Sequence, residues 1–275
     1  MTIKSIDPPE SKPSLWQWRH WQGLPYLTCD LLKDWSHGFF TAPFHPASPA
    51  DLTAALSSSA VAYRLQQVHG NVVLKATEVM SVSPFSPADG LMGDGEDQAL
   101  WVASADCSPV LIGDVTTGRS AALHSGWRGT AAGIVGKAID LFLSHNSKPE
   151  NLRVVIGPSI SGEVYQVCEE VALQVGSSLF PGGTTIDELA AMNFTPIKFD
   201  PAPGKVRLSV TKFIRLQLLQ IGLKPEQLEF APFCTYQQPE YFFSYRRTGE
   251  KKVQWSGIVS KNSTFPKEYS LKLPD

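Results

Sequence analysis

Three short segments of this 275-residue chain carry a side chain suited to metal binding, and each segment lies where an apolar, strand-like run ends. The three side chains are His69, Cys107 and His124. Two imidazoles and a thiolate are ligands that zinc and copper prefer, and three protein ligands leave a fourth position for water or substrate. A shared site requires a fold that brings three strand ends together, and its open position would indicate chemistry.

The spacing of these residues does not establish the site, because it matches no short zinc-finger pattern. The same residues also fit a buried cysteine and two hydrogen-bonded core histidines. Glycines at positions 70, 126 and 129 accompany the segments, and they allow the backbone to turn sharply or to approach a ligand. Both interpretations fit the residues, and the glycines favour a functional edge.

Composition indicates a soluble globular protein. Its 43% hydrophobic content can bury a large core as one domain, or at most two, and a net charge of −2 argues against nucleic acid as the main partner. No signal-peptide pattern occurs at the N-terminus, and no apolar run reaches the roughly 18 residues of a membrane span. Four cysteines are too few for a disulfide scaffold, so we expect a cytoplasmic protein.

The pattern predicts one α+β domain at residues 21–265, built of mixed β-sheets flanked by helices, between loosely ordered tails at 1–20 and 266–275. Strands are predicted at 25–32, 37–41, 99–104, 109–115, 120–124, 153–156, 242–246 and 253–259. Helices are predicted at 51–56, at 168–179 and at 208–222, the last ending at Gly222. Residues 62–68 and 72–77 are predicted to form a hairpin or adjacent strands.

A further helix is expected after His124, because apolar residues recur at helical spacing between positions 134 and 142. This helix is predicted to begin within residues 126–129. The free N–H groups and positive dipole end at such a place are receptive to phosphate or carboxylate, and Arg128 can add a bidentate contact. The alternative is that Arg128 is a solvated or salt-bridged surface residue and that the glycines serve helix packing.

The segment 242–247 carries two phenylalanines followed by Ser-Tyr-Arg-Arg. Strand alternation would place Tyr245 and Arg247 on one face and Arg246 on the other. One guanidinium is a candidate for binding an anionic group, and Tyr245 is a candidate for stacking on a base or donating a hydrogen bond. The alternative is an ordinary strand with one buried and one wet face.

Six ordered segments together resemble one known family, the laccase-domain or multicopper polyphenol oxidase family. They are residues 67–70, 88–90, 105–107, 124–129, 156–160 and 242–247. Members are described as purine nucleoside phosphorylases and, in bacteria, as peptidoglycan editing factors. The resemblance implies that His69, Cys107 and His124 bind Zn²⁺ or Cu²⁺. It also implies a fold similar to the deamidase domain of cytotoxic necrotizing factors.

Further site residues are predicted in and beside these segments. Cys107, Asp106 and Arg128 are predicted to be catalytic, although an acid beside a strand end, such as Asp106, is equally a turn-former. The residues predicted to bind substrate are Gln67, Ser125, Gly126, Tyr245, Arg246 and Arg247.

The chain departs from the family pattern outside the metal segments, so we expect differences in substrate recognition. Ala42 follows a segment after which an arginine is usual. Arg207 stands where an acidic residue is usual before a late helix, and Glu250 replaces the arginine of a Thr-Gly-Arg element.

Two chemistries are open to Cys107. In the first, its thiolate and two neutral imidazoles hold Zn²⁺, which lowers the pKa of a bound water to about 7. In the second, Cys107 is a nucleophile with His124 as its base and no metal takes part. His69 favours the metal, because a Cys–His pair needs only one imidazole.

The resemblance implies a metal-dependent purine nucleoside phosphorylase that cleaves adenosine, inosine, guanosine or methylthioadenosine with phosphate, together with an adenosine deaminase activity. The expected partners are a purine nucleoside and phosphate, without nucleic acid or membrane. The first alternative is an amidohydrolase that edits a peptidoglycan precursor with the same water. A copper-dependent polyphenol oxidase ranks lower, because one Cys and two His are too few for several coppers. A non-catalytic, metal-stabilised binding module is the non-enzymatic alternative.

Overall fold

The computed structural model describes residues 15–80 and 82–261. Within these ranges the strands are β1 (Trp16–Trp21), β2 (Leu24–Cys29), β3 (His37–Phe40), β4 (Val61–Arg64), β5 (Val73–Lys75), β6 (Gly90–Met92), β7 (Gln98–Ser104), β8 (Ser108–Asp114), β9 (Ser120–Ser125), β10 (Leu152–Ile156), β11 (Gln166–Cys168), β12 (Ile197–Phe199), β13 (Lys205–Leu208), β14 (Leu228–Phe230) and β15 (Gln254–Val259). The α-helices are α1 (Pro49–Leu56), α2 (Trp127–Ala131), α3 (Ile134–Ser144), α4 (Glu169–Gly176), α5 (Ile186–Ala191), α6 (Val210–Ile221) and α7 (Tyr245–Thr248). None of these helices is long and apolar enough to cross a membrane.

Two six-stranded sheets and one small sheet contain all of these strands. The first large sheet has the order β1-β2-β3-β15-β7-β4, and the second has the order β14-β10-β8-β9-β6-β5. The small sheet is β11-β13-β12. Parallel pairs occur at β4–β7, β5–β6 and β10–β14 among otherwise antiparallel neighbours. The predicted α+β class with mixed sheets is confirmed, while the similarity to the necrotizing-factor deamidase domain stays a prediction.

Side-chain alternation in the first sheet separates two cores. On β7, Leu100 and Val102 pack into the core between the two large sheets. Trp101 faces the opposite side, where it packs with Leu52 of α1 and donates from its indole to Thr53 Oγ1 at 3.0 Å. Helix α1 therefore covers the outer face of the first sheet.

The second sheet alternates in the same way. On β8, Leu111 faces the core between the sheets, and Val110 faces the outer core. That outer core contains Phe142 of α3 and Phe213 of α6. The molecule is thus layered as helix, sheet, sheet and helices, and strand ends from both sheets meet at one edge of the sandwich.

Capping residues define both ends of helix α6. Ser209 is the N-cap, and its side chain accepts a hydrogen bond from the Lys212 N–H. Gly222 ends the helix with a φ of 106°, as predicted. Arg207, which the sequence placed before this helix as a departure from the family, does precede it: it lies in β13, where its Nε donates to an Asp200 carboxylate oxygen at 2.8 Å.

The predicted hairpin around residues 70 and 71 is wrong. Strand β4 pairs with β7 in the first sheet, whereas β5 pairs with β6 in the second. The connection therefore passes from one sheet to the other, and His69 within it has a φ of 61°. Local turn residues were compatible with a hairpin, but the pairing partners of both strands are distant in sequence.

The predicted strand at 242–246 is also wrong. Ser244 is the N-cap of α7, where its side chain accepts from the Arg247 N–H at 3.2 Å, and Gly249 ends the helix with a φ of 71°. The capping serine outweighs the β propensity of the aromatic residues. The helix expected after His124 is two helices, α2 and α3, because Gly133 between them has a φ of 73°.

Strand β1 corrects the predicted N-terminal tail. Residues 16–20 pair with β2, and Trp16 is buried, so the ordered domain begins before residue 21. The predicted strand at 25–32 ends at Cys29 and continues as a 3-10 turn. The remainder of the predicted N-terminal tail, residues 1–14, and the predicted C-terminal tail, 266–275, lie outside the described residues.

Candidate metal centre

The side chains of His69, Cys107 and His124 meet at one edge of the sandwich. One ligand atom from each lies within 4.8 Å of the others. The two imidazole rings have centroids 4.8 Å apart and are nearly perpendicular, at 83°. His124 is buried at the end of β9, Cys107 is half-buried just before β8, and His69 is exposed after β4. The fold therefore brings the three predicted ligands together.

The chemistry of this donor set fits a borderline-soft ion. Nδ1 of His124 is engaged with Asp89, so its Nε2 is the nitrogen left for a ligand. Nitrogen and sulfur donors suit Zn²⁺ or Cu²⁺ and are poor ligands for Ca²⁺ or Mg²⁺. The absence of a fourth His, Cys or acidic residue from the cluster, among the described residues, is the pattern of an open site.

Asp89 organises two of the three ligands, a role that sequence reasoning missed. Its side chain is fully buried. One carboxylate oxygen accepts from His124 Nδ1 at 2.8 Å and from the His69 backbone N–H at 2.9 Å. The other accepts from the N–H groups of Gly70 at 2.6 Å and Val68 at 3.2 Å. Asp89 thus orients one imidazole and holds the loop that carries the other; the only sequence signal was its place within the segment 88–90.

Contacts within the cluster shift the pKa values of Cys107 and His124 in opposite directions. Burial opposes ionisation of Cys107, but hydrogen bonds with His124 and His69 outweigh it and lower the pKa of the thiol to about 7. Burial likewise opposes the charged form of His124, but bonds with Asp89 and Cys107 raise the pKa of this imidazole to about 9. Without metal, the ionised form of the pair is therefore a Cys107 thiolate beside a His124 imidazolium. Metal binding would release the proton that His124 carries in this form.

Gly126 allows the cysteine to reach the cluster. A Cβ at this position would lie 2.8 Å from Cys107 Sγ and 3.5 Å from His69 Cδ2. Its φ of −76° is accessible to any residue, so close approach and not backbone freedom requires glycine here. The neighbouring Ser125 is fully buried and pairs its hydroxyl with Thr130 Oγ1 at 2.8 Å, which places it in the packing of α2.

A cavity of about 400 Å³ lies against the cluster, within the size range of small-molecule sites. All three candidate ligands line it, together with Gln67 and Tyr245 from the predicted substrate-binding residues. Gln67 exchanges two hydrogen bonds with the backbone of Ala103, at 2.7 and 2.8 Å, so its amide fixes the cavity floor. Tyr245 is 55% exposed, so part of its surface is accessible to a molecule in the cavity.

The predicted anion site at residues 126–129 has less support than the sequence suggested. Helix α2 spans only five residues, so it offers a short dipole. Arg128 is exposed, and its guanidinium lies 4.3 Å from the centroid of the Trp127 ring. It is not among the residues that line the cavity beside the cluster.

Asp106 is held inside the fold. Its Oδ1 accepts from Thr235 Oγ1 at 2.7 Å, and its Oδ2 accepts from the Arg246 backbone N–H at 2.7 Å. Its φ of 96° is in the left-handed region, and its backbone oxygen accepts from the Ile160 N–H. These contacts favour the turn-forming interpretation of Asp106 over the predicted catalytic role.

The two arginines of α7 are likewise used by the fold. Arg246 donates to the Gln166 carbonyl at 2.8 Å and lies over the Tyr165 ring at 4.7 Å. The guanidinium of Arg247 donates to three backbone carbonyls, those of Thr235, Tyr236 and Phe242. Neither side chain is among the groups that line the cavity.

Comparison with known proteins is consistent with this architecture and cluster. Residues 48–260 match the family described as multi-copper polyphenol oxidoreductase laccase, and the chain belongs to this family. A purine nucleoside phosphorylase of Synechocystis sp. is 50% identical over 257 residues, which cover 90% of this chain and 97% of the relative. A purine nucleoside phosphorylase of Bacteroides thetaiotaomicron is 32% identical over 194 residues, covering 69% and 67%. The family resemblance seen in the sequence is confirmed.

Two solved structures share the fold. YlmD from Geobacillus stearothermophilus has a TM-score of 0.75 at 24% identity and covers 91% of this chain and 100% of its own. YfiH from Bacillus licheniformis has a TM-score of 0.68 at 22% identity, covering 86% and 96%. At these identities the likeness establishes the fold.

Proposed function

We propose that this chain is a metal-dependent enzyme that cleaves purine nucleosides with phosphate. The observation that carries the proposal is the convergence of His69, Cys107 and His124 on one cavity of about 400 Å³. The name of the Synechocystis relative, a purine nucleoside phosphorylase 50% identical over nearly the whole chain, supports the choice of substrate. The four free cysteines are consistent with the cytoplasmic location that belongs to this proposal.

The proposed reaction exchanges one bond at the sugar. A phosphate oxygen bonds to C1′ of the ribose while the bond between C1′ and N9 of the base breaks. The proton lost by phosphate ends on the base, so the products are the free purine and ribose 1-phosphate. The exposed ring of Tyr245 at the cavity rim suits stacking on the base, and Gln67 keeps the floor in place.

Zn²⁺ is the proposed ion, with Cu²⁺ as the alternative, because both accept two imidazoles and one thiolate. Bound at three protein ligands, such an ion supplies a Lewis acid and can bring the pKa of a water molecule to about 7. That chemistry suits hydrolytic deamination of adenosine, which we include as a second activity of the same site. The chain's own part is Asp89, which fixes the tautomer and orientation of His124.

The decisive experiment combines metal analysis with product analysis. Protein purified without chelator or added metal is expected to contain about one equivalent of zinc or copper and to release adenine from adenosine only when phosphate is present. His69→Ala is expected to lose the metal and at least about a hundredfold in activity, since even residues that support a ligand contribute tenfold to a hundredfold. His20→Ala, a change at an exposed histidine of β1, is the matched control.

Different outcomes separate the alternatives. Full turnover by verified metal-free protein, abolished by alkylation of Cys107, would establish the cysteine nucleophile. Ammonia release without any phosphate-dependent base release would leave deamination as the activity. A metal-loaded protein that yields neither product contradicts the proposal and favours the binding module.

A further inference from the structure

We infer that Arg64, assisted by Lys251, forms the phosphate-binding wall of the cavity beside the metal cluster. Both residues line the same cavity as His69, Cys107 and His124. The inference rests on the proposed function, because it identifies the place of the anionic co-substrate in that reaction. It also moves that place away from Arg128, where the sequence had put it.

Two aromatic rings hold the guanidinium of Arg64. Its central carbon lies 4.0 Å from the centroid of the Phe85 ring and 5.5 Å from that of the Trp255 ring. Rings that cover the faces of a guanidinium fix its plane and leave its N–H edge for hydrogen bonds. That edge matches two oxygens of a phosphate in a bidentate arrangement.

The Arg64 guanidinium has no anionic partner within the described part of the chain. The ion pairs and side-chain hydrogen bonds found there involve other groups. Partial burial lowers the pKa of Arg64, which shows that the cation is held where water solvates it less well. A half-buried cation with no counter-charge is an effective place for a bound anion.

The other cations near the cluster are committed elsewhere or do not face the cavity. Arg246 and Arg247 donate to backbone carbonyls. Among the fixed charges of the cavity wall, Glu250 and Lys252 form an ion pair at 2.9 Å. Arg64 and Lys251 remain, so the wall carries an excess of positive charge opposite the metal ligands.

Strand register explains how Arg64 reaches the cavity. Strand β7 lies between β4 and β15. Arg64 pairs with Trp101 of β7, and Trp255 of β15 pairs with Ala103 two residues further along. Paired residues project to the same face, and the small side chain of Ala103 allows the Arg64 guanidinium to come within 5.5 Å of the Trp255 ring. The guanidinium therefore extends across β7 at the edge of the cavity floor.

The test compares Arg64→Met, which keeps an aliphatic stem but removes the charge, with Arg19→Met, a matched change at an exposed arginine of β1. Arg64→Met is expected to raise both the KM for phosphate in phosphorolysis and the Kd for inorganic phosphate in equilibrium dialysis about tenfold to hundredfold. Zinc content and the KM for adenosine should stay within about twofold, because neither depends on this contact. Lys251→Met should have a smaller effect, since its side chain is exposed.

A second variant distinguishes loss of the phosphate contact from a general structural defect. Arg64→Lys keeps the charge but loses the planar fork, so its phosphate Kd is expected to lie between those of wild type and Arg64→Met. Wild-type phosphate binding in Arg64→Met, or a larger loss in Arg128→Met, overturns the inference while leaving the proposed function intact. If wild-type protein binds phosphate through Arg64 but releases no base, the phosphate site stands and the proposed function fails.

Discussion

Gly126→Ala should weaken metal binding in an otherwise intact protein. The added methyl would lie 2.8 Å from Cys107 Sγ, whereas ordinary van der Waals contact for a Cβ begins at 3.4 Å. The substitution introduces no backbone strain, because the φ of −76° and ψ of 178° suit alanine as well as glycine. The perturbation therefore falls on the thiolate and not on the fold.

The distances set the size of the effect. To restore ordinary contact, Sγ and the new methyl must separate by about 0.6 Å, roughly three times the 0.2 Å tolerance of a metal–ligand distance. His69 Cδ2, already 3.5 Å from the methyl, restricts the space available for that movement. We expect metal affinity to fall about tenfold to hundredfold, equivalent to about 1.4–2.8 kcal/mol of binding free energy.

Competition with a chromophoric chelator measures zinc affinity, and thermal unfolding of the metal-free protein reports on the fold. The matched control is Gly136→Ala in α3, where the new Cβ would make only an ordinary 3.7 Å contact with Ile221 and where alanine favours the helix by about 0.5–1 kcal/mol. Gly136→Ala should bind zinc as wild type and unfold at a higher temperature. If Gly126→Ala retains wild-type zinc affinity, Cys107 is not a metal ligand in this position.

Two further predictions test the surroundings of the cluster. Asp89→Asn replaces an acceptor of four hydrogen bonds by a side chain with donors of its own. The free energy of unfolding, measured by denaturant titration, should fall by about 1–3 kcal/mol, and zinc affinity, measured by chelator competition, should fall about tenfold to hundredfold. Wild-type values for both would show that His124 needs no orienting carboxylate. In metal-free protein, iodoacetamide should label Cys107 at a rate that rises from pH 6 to about pH 8, because the pKa of its thiol is about 7. Buried Cys29, whose thiol pKa is about 12, should stay unlabelled, and zinc should protect Cys107. Equal labelling of both thiols, measured by mass spectrometry, would contradict this assignment.

The elements that the sequence predicted well are those whose local pattern matches their final environment. Strand β8 carries a continuous apolar run, and in the structure both of its faces are buried. Gly222 was predictable as the end of α6 because a left-handed residue is needed there. By contrast, β4 and β5 are short, and their placement in different sheets depends on pairing with β7 and β6, which no local pattern encodes.

The site was predictable where a residue type carries its own chemistry. Histidine and cysteine are side chains that zinc and copper prefer, and the family resemblance implied that these three bind the ion, so the candidate ligands could be named. The role of Asp89 could not, because it depends on hydrogen bonds to residues 68–70 and to His124 that only the fold creates. The role of Arg64 could not be predicted either, because its approach to Trp255 depends on the register of three strands that are distant in sequence.

The cavity is built from two kinds of segment, and this division separates two properties of the protein. Two of the three candidate metal ligands, His69 and His124, are positioned by the buried carboxylate of Asp89, whereas residues 250–253 of the cavity wall belong to a connection between α7 and β15. Substitutions in that connection can change the shape and charge that a substrate meets without moving a donor atom of the cluster. Exchange of this one short loop is therefore expected to change substrate preference while the candidate metal cluster stays as it is.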